Sequence, residues 1–328
     1  MNETIRWGFV GCGRIAKLMI AGLKMVQDAR VTAVFDGNSQ TAERFAREEG
    51  IEHIFSNINS FLSSGLFDVV YIALPHTFHL EFSKLAMNTG FPVLCEKPIC
   101  PNASQVSELI DCAHKNNVFL MEAFWQRFFP ASRQVCDWIK QGEIGRIVAA
   151  NCIFAYKGPF IPGERIYEKN LAGGALLDIG CYIVNFMNMV FGCQPCEIAS
   201  VVNLAPCGVD DSNAICFKYQ DGAMASMIST FFGDAFEGMT ILGDKGVIHI
   251  DEFWWRPHDA TLKNQKGTYR YESAIQGRGF QYEVKHVQES LLKGLKESPI
   301  MPLQDSLDNT ITMDKLRLDW GLSYPFEN

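Results

Sequence analysis

Glu96-Lys97-Pro98 places an acid, a base and a proline directly after the apolar run "VLC". Proline lacks a backbone N–H and biases the preceding residue toward extended geometry, so the triplet marks the end of a strand. A lysine ammonium there can donate a hydrogen bond to a reacting oxygen or stabilise a negative charge. It can equally be a solvated strand end before a turn. The residues around it decide between these interpretations.

A glycine-rich segment, Gly11-Cys12-Gly13-Arg14-Ile15-Ala16, follows the apolar run "IRWGFV" and opens a helical pattern. Gly11 permits a tight turn, Gly13 lets a pyrophosphate approach the backbone, and Ala16 lets the helix pack close to a sheet. The first helical turn offers unpaired N–H groups to phosphates. We therefore expect residues 11–15 to bind a dinucleotide; a tight turn without a ligand is the alternative.

Asp36 ends the next strand-like run, "VTAVFD". An acid at this place can accept hydrogen bonds from both ribose hydroxyls of an adenosine, and it repels a 2′-phosphate. Gly37 and Thr41 bring no positive charge, and Arg44 lies further along the predicted helix. The pattern favours NAD over NADP, with NADP as the alternative. Asp36 could also be only a turn former before Gly37.

The N-terminal part of the chain alternates strand-like and helix-like segments. The strand-like runs are 5–11, 31–36, 68–75, 91–98 and 118–124, and the helical patterns are 14–26, 40–49, 76–90 and 102–117. This order predicts a doubly wound, mostly parallel Rossmann sheet in a dinucleotide-binding domain over residues 1–123.

From residue 124 to 328 the pattern changes to a predicted α+β domain. Strand-like runs separated by turn signals indicate a mainly antiparallel sheet, interrupted by one long helix at 175–190. Two further helices are predicted near 280–295 and 303–320. We assign this domain to substrate binding and oligomerisation.

The predicted sheet indicates where Lys97 lies. Ligands of doubly wound sheets bind outside the carboxyl ends of the strands, where Glu96 and Lys97 stand. Leu74-Pro75-His76 ends the neighbouring strand at the same edge. We expect Leu74, His76, Glu96 and Lys97 to line a nicotinamide site, and a functional lysine becomes the favoured interpretation.

These motifs resemble the Gfo/Idh/MocA family of nicotinamide-dependent oxidoreductases. The glycine loop, "EKP" and "GGALLDIGCY" (173–182) carry the resemblance, which covers essentially the whole chain. Longer blocks, such as "FLMEAFWQRFFPAS" and "YEVKHVQESLLKGLKESP", are similar to the dimeric dihydrodiol dehydrogenase and D-xylose dehydrogenase branch. The resemblance implies a Rossmann domain followed by a domain with a large open antiparallel sheet.

The resemblance also implies that Asp178 and Tyr182 complete the polar side of the pocket beside Lys97. Their spacing of four residues places both on one helix face. We expect a secondary or anomeric hydroxyl to lose its proton to Tyr182 or Lys97 while hydride passes to the nicotinamide, with Asp178 orienting the pair or binding a second hydroxyl. A buried structural tyrosine is the alternative for Tyr182.

His76 and His79 begin the helix after the strand at 68–75, and the branch has the same pair near its cofactor. Two histidines three apart can also bind a metal, but no acid or cysteine stands in a matching context. We expect cofactor contact or pocket lining, and no metal.

Aromatic side chains are expected to form the opposite wall of the pocket. Trp125 and Phe154 match pocket positions of the branch, and we expect the pair Trp254 and Trp255 to cap the site. An apolar wall facing polar groups suits a ring-shaped, polyhydroxylated small molecule, whose C–H faces stack on aromatics. The expected substrate is a sugar, an inositol-like polyol or a trans-dihydrodiol.

The sequence departs from the branch after the second strand. The branch prefers NADP and carries arginines there, whereas this chain reads "FDGNSQTAER". The cofactor preference of the branch is therefore not transferred. Two other functions share the architecture: an NAD-dependent glycosidase, which turns over with no net change in NADH, and a non-catalytic NAD(H)-binding regulator.

Composition limits the partners and the compartment. The net charge of −8 and the pI of about 5.4 argue against nucleic-acid and anionic-membrane partners. The N-terminal segment has no signal-peptide layout, so the 11 cysteines are expected to be reduced thiols of a cytoplasmic protein. Cys193-Gln-Pro-Cys196 lacks a second pair and is interpreted as a coincidence.

Assembly follows from the predicted antiparallel sheet. We expect one of its faces to be covered by helices of the Rossmann domain. The other would expose apolar residues of "FKYQ", "ASMIST" and "TILG", too apolar for a free surface. A homodimer, or a dimer of dimers, is predicted through that face.

Overall fold

The computed structural model describes residues 4–234, 238–274 and 277–327. These residues cluster into two compact units. The first contains the described residues within Met1–Trp125 and Gln276–Ser306, and the second those within Gln126–Ile275 and Leu307–Asn328. The part of the chain after residue 123 is thus divided between the units, whereas the sequence analysis assigned it to one domain.

The first unit is built on a parallel sheet of six strands in the order β3-β2-β1-β4-β5-β6. This is the predicted doubly wound arrangement, with the topological switch between β1 and β4. The strands are β1 Ile5–Val10, β2 Ala29–Phe35, β3 His53–Phe55, β4 Val69–Ile72, β5 Val93–Glu96 and β6 Leu120–Ala123. The residues of β4, β5 and β6 are all buried, as expected where helices cover both faces.

Helices connect these strands and cover the sheet. They are α1 Arg14–Leu23, α2 Ser39–Glu49, α3 Ile58–Leu62, α4 His79–Asn88, α5 Ala103–Asn116 and, from later in the chain, α8 Phe280–Leu292. The predicted cap of α5 is present: the Asn102 side chain accepts a hydrogen bond from Gln105 N at 3.0 Å. Strand β3 and helix α3 escaped the pattern analysis because they have only three and five residues.

The second unit is built on a mixed, mostly antiparallel sheet of eight strands in the order β14-β13-β12-β11-β7-β10-β9-β8. Only β7 and β10 pair in parallel among the described ladders of this sheet. The strands are β7 Ile147–Ala155, β8 Glu197–Leu204, β9 Asp210–Lys218, β10 Met224–Thr230, β11 Met239–Gly243, β12 Gly246–Ile250, β13 Asp259–Asn264 and β14 Gly267–Glu272. Strands β13 and β14 were not predicted, because their sequences "DATLKN" and "GTYRYE" carry little apolar signal.

Helices of the same unit cover one face of this sheet. Helix α6, Pro130–Lys140, packs against β13 and β14, and α7, Cys181–Phe191, packs against β7 and β10. The cover by helices of the Rossmann domain, expected from the sequence, stays a prediction. Strand β10 alternates exposed and buried residues, so its other side stays open.

One helical stretch of the described chain, Lys169–Phe191, is long and apolar enough to cross a membrane by length and composition. Of its most apolar window, 89% is buried inside the protein, as in a core helix. Helix α9, Leu303–Asp319, follows α8 near the end of the chain.

Candidate active site

The glycine loop joins β1 to α1 and has the geometry that its residue types predict. Gly11 has a φ of 99°, and a Cβ there would lie 2.4 Å from the backbone oxygen of Ala73. Only glycine fits such a position without strain. Gly13 caps α1, no side chain caps its N-terminus, and a Cβ on Gly13 would meet nothing within 4 Å. This open face beside the unpaired first-turn N–H groups can accept a phosphate.

Asp36 is tied to the glycine loop. Its Oδ2 accepts a hydrogen bond from Cys12 N at 3.0 Å, and its Oδ1 accepts one from Asn38 N at 2.9 Å. Burial, with a smaller effect of the Asp36 charge, raises the pKa of the Cys12 thiol to about 12. The thiol is therefore neutral at physiological pH and places no negative charge beside a bound phosphate. Arg14 is exposed and Ile15 half-buried at the mouth of the loop.

The histidine pair is fully inside the first unit. His79 has no exposed surface, and its Nδ1 and Nε2 lie 2.9 and 2.8 Å from the carbonyl oxygens of Pro98 and Leu74. The ring thus joins the segments that follow β4 and β5. The cofactor contact or pocket lining expected of His79 stays a prediction. His76 is also buried, with its ring centroid 5.8 Å from that of His79.

Glu96 ends β5 and lies in a buried polar cluster. Its Oε1 accepts a hydrogen bond from the Tyr71 hydroxyl at 2.5 Å, and its Oε2 accepts one from Lys97 N at 3.2 Å. Burial, with the Glu96 charge as the next cause, raises the pKa values of Tyr71 and Glu283 well above their usual ranges. Lys97 itself is half-buried, with its peptide to Pro98 in the cis form.

Sequence reasoning missed the residues that support this strand end. Tyr71 and Glu283 come from β4 and α8, and Glu122 from β6 accepts a hydrogen bond from Ile99 N at 2.8 Å. An acid inside the apolar run "VFLMEAF" is the one signal that could have revealed Glu122. Trp125, expected in the pocket wall, stacks on Phe280 with ring centroids 4.3 Å apart.

Asp178 lies in the second unit on a π-helical turn, Leu176–Gly180, that leads into α7. The regular helix predicted from residue 175 is corrected at this turn. Oδ1 of Asp178 accepts a hydrogen bond from Arg165 Nη2 at 2.7 Å, and Oδ2 accepts one from the Tyr156 hydroxyl at 3.0 Å. Both partners were missed by the sequence analysis, which found no motif in the loop that contains them. Together they fix the orientation of the carboxylate.

Tyr182 follows in the first turn of α7 and is buried. Its ring contacts Phe154 at a centroid distance of 5.6 Å, and its backbone oxygen accepts a hydrogen bond from Gln126 Nε2 at 2.9 Å. The structure thus brings together Asp178, Tyr182 and Phe154, three predicted site residues within one unit.

The start of this helix is anchored by buried groups. Asp210 Oδ2 accepts hydrogen bonds from Leu176 N at 2.7 Å and from the Asn213 side chain at 2.9 Å. The Tyr324 hydroxyl donates to the Gly173 oxygen at 2.7 Å. Burial raises the pKa of Asp210 to about 6. These contacts fix the backbone that carries Asp178.

Both tryptophans expected to cap the pocket lie beside Phe154, but they differ in exposure. Trp255 stacks on Phe154, with centroids 3.9 Å apart and planes 11° apart, and it is half-buried. Trp254 has no exposed surface and donates from Nε1 to the Ile153 oxygen at 2.8 Å. Trp254 therefore supports the wall from behind, and its contact with the substrate stays a prediction.

In the described parts of the chain, no group of three His, Cys, Asp or Glu side chains could hold a metal ion.

Comparison with known proteins decides the family. Residues 5–124 match the model of an oxidoreductase family with an NAD-binding Rossmann fold, GFO_IDH_MocA, and residues 132–249 match the GFO/IDH/MocA C-terminal domain. A trans-1,2-dihydrobenzene-1,2-diol dehydrogenase from Xenopus laevis is 35% identical over 98% of this chain and 99% of its own. The chain belongs to the Gfo/Idh/MocA family.

Membership of the Gfo/Idh/MocA family confirms the predicted class, an NAD(P)-dependent dehydrogenase with a nicotinamide cofactor. Two solved structures share the fold. Aldose-aldose oxidoreductase from Caulobacter crescentus, complexed with glycerol, has a TM-score of 0.87 at 20% identity, covering 96% of this chain and 97% of its own. Levoglucosan dehydrogenase, complexed with NADH and levoglucosan, has a TM-score of 0.84 at 21% identity, with coverages of 95% and 97%.

Proposed function

We propose that this dehydrogenase oxidises a secondary or anomeric hydroxyl of a neutral polyhydroxylated ring: a sugar, a cyclic polyol or a trans-dihydrodiol. The observation that carries the proposal is the pairing of a polar set with an aromatic wall in the second unit. Asp178 and Tyr182 can contact hydroxyls, while Phe154 and Trp255 offer stacked rings to the C–H face of a substrate. The relative named after a dihydrodiol, and the fold neighbours named after sugars, support this substrate class.

A bound nicotinamide supplies the hydride acceptor, and the residues of the chain handle the proton. We propose two balanced routes for the hydroxyl proton. Either the phenolate of Tyr182 accepts it while the ammonium of Lys97 stabilises the negative charge on the reacting oxygen, or the neutral amine of Lys97 accepts it and becomes the ammonium. Asp178, fixed by its two donors, accepts a hydrogen bond from a second substrate hydroxyl. Glu96 supports Lys97 by accepting from its backbone N–H.

Removing the lysine tests the proposed chemistry. Lys97→Met should lower kcat/KM for NAD-dependent oxidation about 10²–10⁴-fold, as expected when a proton-transfer or charge-stabilising group is lost. NADH affinity, measured by fluorescence, should stay within about threefold, because the glycine loop binds the phosphates. The control is Lys115→Met, on the exposed side of α5, with unchanged kinetics. Wild-type kinetics in Lys97→Met would remove the lysine from the mechanism.

The cofactor should be NAD rather than NADP. The two oxygens of Asp36 accept backbone N–H groups of Cys12 in the glycine loop and of Asn38 in the turn after β2. These contacts hold the carboxylate at the end of β2, where a 2′-phosphate would meet its charge. Calorimetry with NADH and NADPH should give tighter binding of NADH. Asp36→Asn, which keeps an oxygen acceptor but removes the charge, should narrow that preference at least about tenfold, or about 1.4 kcal/mol. Tighter binding of NADPH by the wild type would contradict the assignment.

We also propose a homodimer, or a dimer of dimers, through the open sheet face of the second unit. Large apolar side chains are exposed there: Val201 by 69%, Met224 by 59% and Leu242 by 45%. Patches of this kind mark association surfaces. Light scattering at micromolar concentration should give the mass of a dimer or a larger oligomer, and Met224→Arg should shift the measured mass toward that of the monomer.

All cysteines in the described chain are thiols, which supports a cytoplasmic location.

A further inference from the structure

Two consecutive polar side chains, Gln126 and Arg127, are buried in the second unit, and the proposed proton transfer uses neither of them. Gln126 has no exposed surface and Arg127 is 2% exposed. Both stand in a 3₁₀ turn, Trp125–Phe128, that precedes α6. Burial of an amide or a guanidinium is costly unless hydrogen-bond partners replace the lost water. The partners of these two side chains therefore indicate their role.

Both side chains bond to the first turns of α7. Gln126 Nε2 donates to the Tyr182 backbone oxygen at 2.9 Å and to Asn185 Oδ1 at 3.0 Å. Because both groups facing Nε2 are acceptors, the amide can satisfy them in only one orientation. Arg127 Nε donates to the same Asn185 Oδ1 at 2.8 Å, and its Nη2 donates to the Asn185 backbone oxygen at 3.3 Å. Tyr182 and Asn185 are three residues apart, so these contacts hold one side of the helix.

A π-helical turn makes the orientation of α7 depend on contacts from outside the helix. Within this turn, Leu176–Gly180, the N–H of Cys181 bonds to the oxygen of Leu176, five residues earlier. Such a turn accommodates one extra residue, and one residue corresponds to a rotation of about 100° about the axis of an α-helix. The place of the extra residue therefore decides the direction of the side chains that follow, and Tyr182 is among the first of them.

Different contacts hold the chain before and after the π-helical turn. Before it, Asp210 and Tyr324 anchor the backbone up to Leu176. After it, Gln126 and Arg127 bond to the first turns of α7. Because both flanks are held, the extra residue cannot move along the helix without breaking one of these sets of hydrogen bonds.

We propose that Gln126 and Arg127 are positioning residues that hold α7 at one rotation about its axis and thereby keep the Tyr182 hydroxyl at the reacting oxygen. The inference rests on the proposed function and deepens it, because Tyr182 is one of the two proton acceptors proposed there. Proton transfer requires hydrogen-bond distance between the two heavy atoms, so rotation of the helix would take Tyr182 Oη out of reach. A buried ion of this kind serves to fix one arrangement rather than to raise stability.

A double-variant cycle on kcat tests this role. Gln126→Met keeps the length of the side chain but removes its donors, and it should lower kcat for NAD-dependent oxidation of D-xylose or trans-1,2-cyclohexanediol about tenfold. NADH affinity, measured by fluorescence, should stay within about threefold, because the glycine loop binds the phosphates. In the Tyr182→Phe background, Gln126→Met should change the residual kcat by less than about twofold, since the hydroxyl that it misplaces is already absent.

Two results of the cycle would overturn the inference. An equal fall of kcat in both backgrounds would mean that Gln126 acts without Tyr182. Full activity of Tyr182→Phe would remove the group that the two residues are proposed to position, while oxidation with Lys97 as the proton acceptor would stand.

A buried glutamine of the first unit provides the matched control. Gln288 is 7% exposed and donates from Nε2 to the Asp28 oxygen at 2.9 Å, so it also bonds to a backbone carbonyl. Gln288→Met should leave kcat within about twofold of the wild type. At the second positioning residue, Arg127→Lys keeps the charge and should lower kcat less than Arg127→Met does.

Hydrogen exchange separates this inference from the proposed function, because it needs no substrate. Gln126→Met should speed amide exchange in residues 181–186 at least about tenfold and leave the rest of the second unit unchanged. If the wild type oxidises neither probe, the proposed function fails for these substrates and exchange decides the inference. Faster exchange confined to 181–186 supports it, whereas unchanged exchange, or a rise throughout the second unit, overturns it.

Discussion

The two sets of candidate residues are constructed differently. In the first unit, the site depends on backbone geometry at the ends of parallel strands: Gly11 needs its positive φ, and Asp36 accepts loop N–H groups. In the second unit, it depends on side-chain contacts: Asp178 is held by Arg165 and Tyr156. Backbone requirements produce contiguous motifs, whereas side-chain contacts join residues from separate segments. Substitutions in the first kind of site should lower stability and cofactor affinity. Substitutions in the second kind should change the kinetics of substrate oxidation.

The largest effect on activity is expected for Tyr182, one of the candidate residues of the second unit. Tyr182→Phe keeps the ring against Phe154 and removes only the hydroxyl. We expect kcat for diol oxidation to fall about 10²–10⁴-fold. NADH affinity and the free energy of unfolding should change little, since the backbone contact with Gln126 does not involve the hydroxyl. Stopped-flow and steady-state kinetics measure the fall in kcat. Full activity of Tyr182→Phe would show that Tyr182 is a structural tyrosine and that the second unit does not depend on this side chain for catalysis.

The next largest effects are expected for substitutions of two glycines in the glycine loop, Gly11 and Gly13. Gly11→Ala forces a β-carbon against the Ala73 oxygen at positive φ, and should lower the free energy of unfolding by about 2–4 kcal/mol. Gly13→Ala meets no protein atom, so unfolding should change by less than about 1 kcal/mol.

Cofactor binding should separate the same two variants. The added methyl of Gly13→Ala stands on the face where a phosphate would approach, and NADH affinity should fall about tenfold or more. Urea unfolding and fluorescence titration measure both properties. Equal loss of stability in the two variants would show that the open face at Gly13 has been misassigned.

The smallest effect concerns Asp210, the buried anchor of the segment before α7. Because its pKa is raised to about 6 by burial, the folded state favours the protonated form. Its contribution to stability is therefore fully present below about pH 4 and lost as the pH rises through about 6. Asp210→Asn abolishes this titration while keeping an acceptor for Leu176 N.

The measurement for Asp210 is the difference in unfolding free energy between variant and wild type. We expect this difference to shift by about 1–3 kcal/mol in favour of Asp210→Asn between pH 4 and pH 7. A difference that does not depend on pH would mean that Asp210 titrates normally in the folded protein.

Much of the first unit could be predicted from the sequence. Strand ends, glycine positions and the cap at Asn102 follow from local rules, so the parallel sheet and the phosphate-binding loop were identified in advance. The positions of the His79 and Trp254 side chains could not be predicted in this way. Their ring nitrogens lie against backbone carbonyls, and tertiary packing decides that arrangement.

The sequence alone determined the backbone-built features, because a positive φ, a helix N-terminus or a strand end is encoded by neighbouring residues. Only the tertiary structure decided the partners of Asp178. Arg165 and Tyr156 precede it by 13 and 22 positions, in a loop and at the end of β7, and no spacing rule connects such residues. Which side chains meet there depends on the path of the intervening chain, and packing of the whole unit fixes that path.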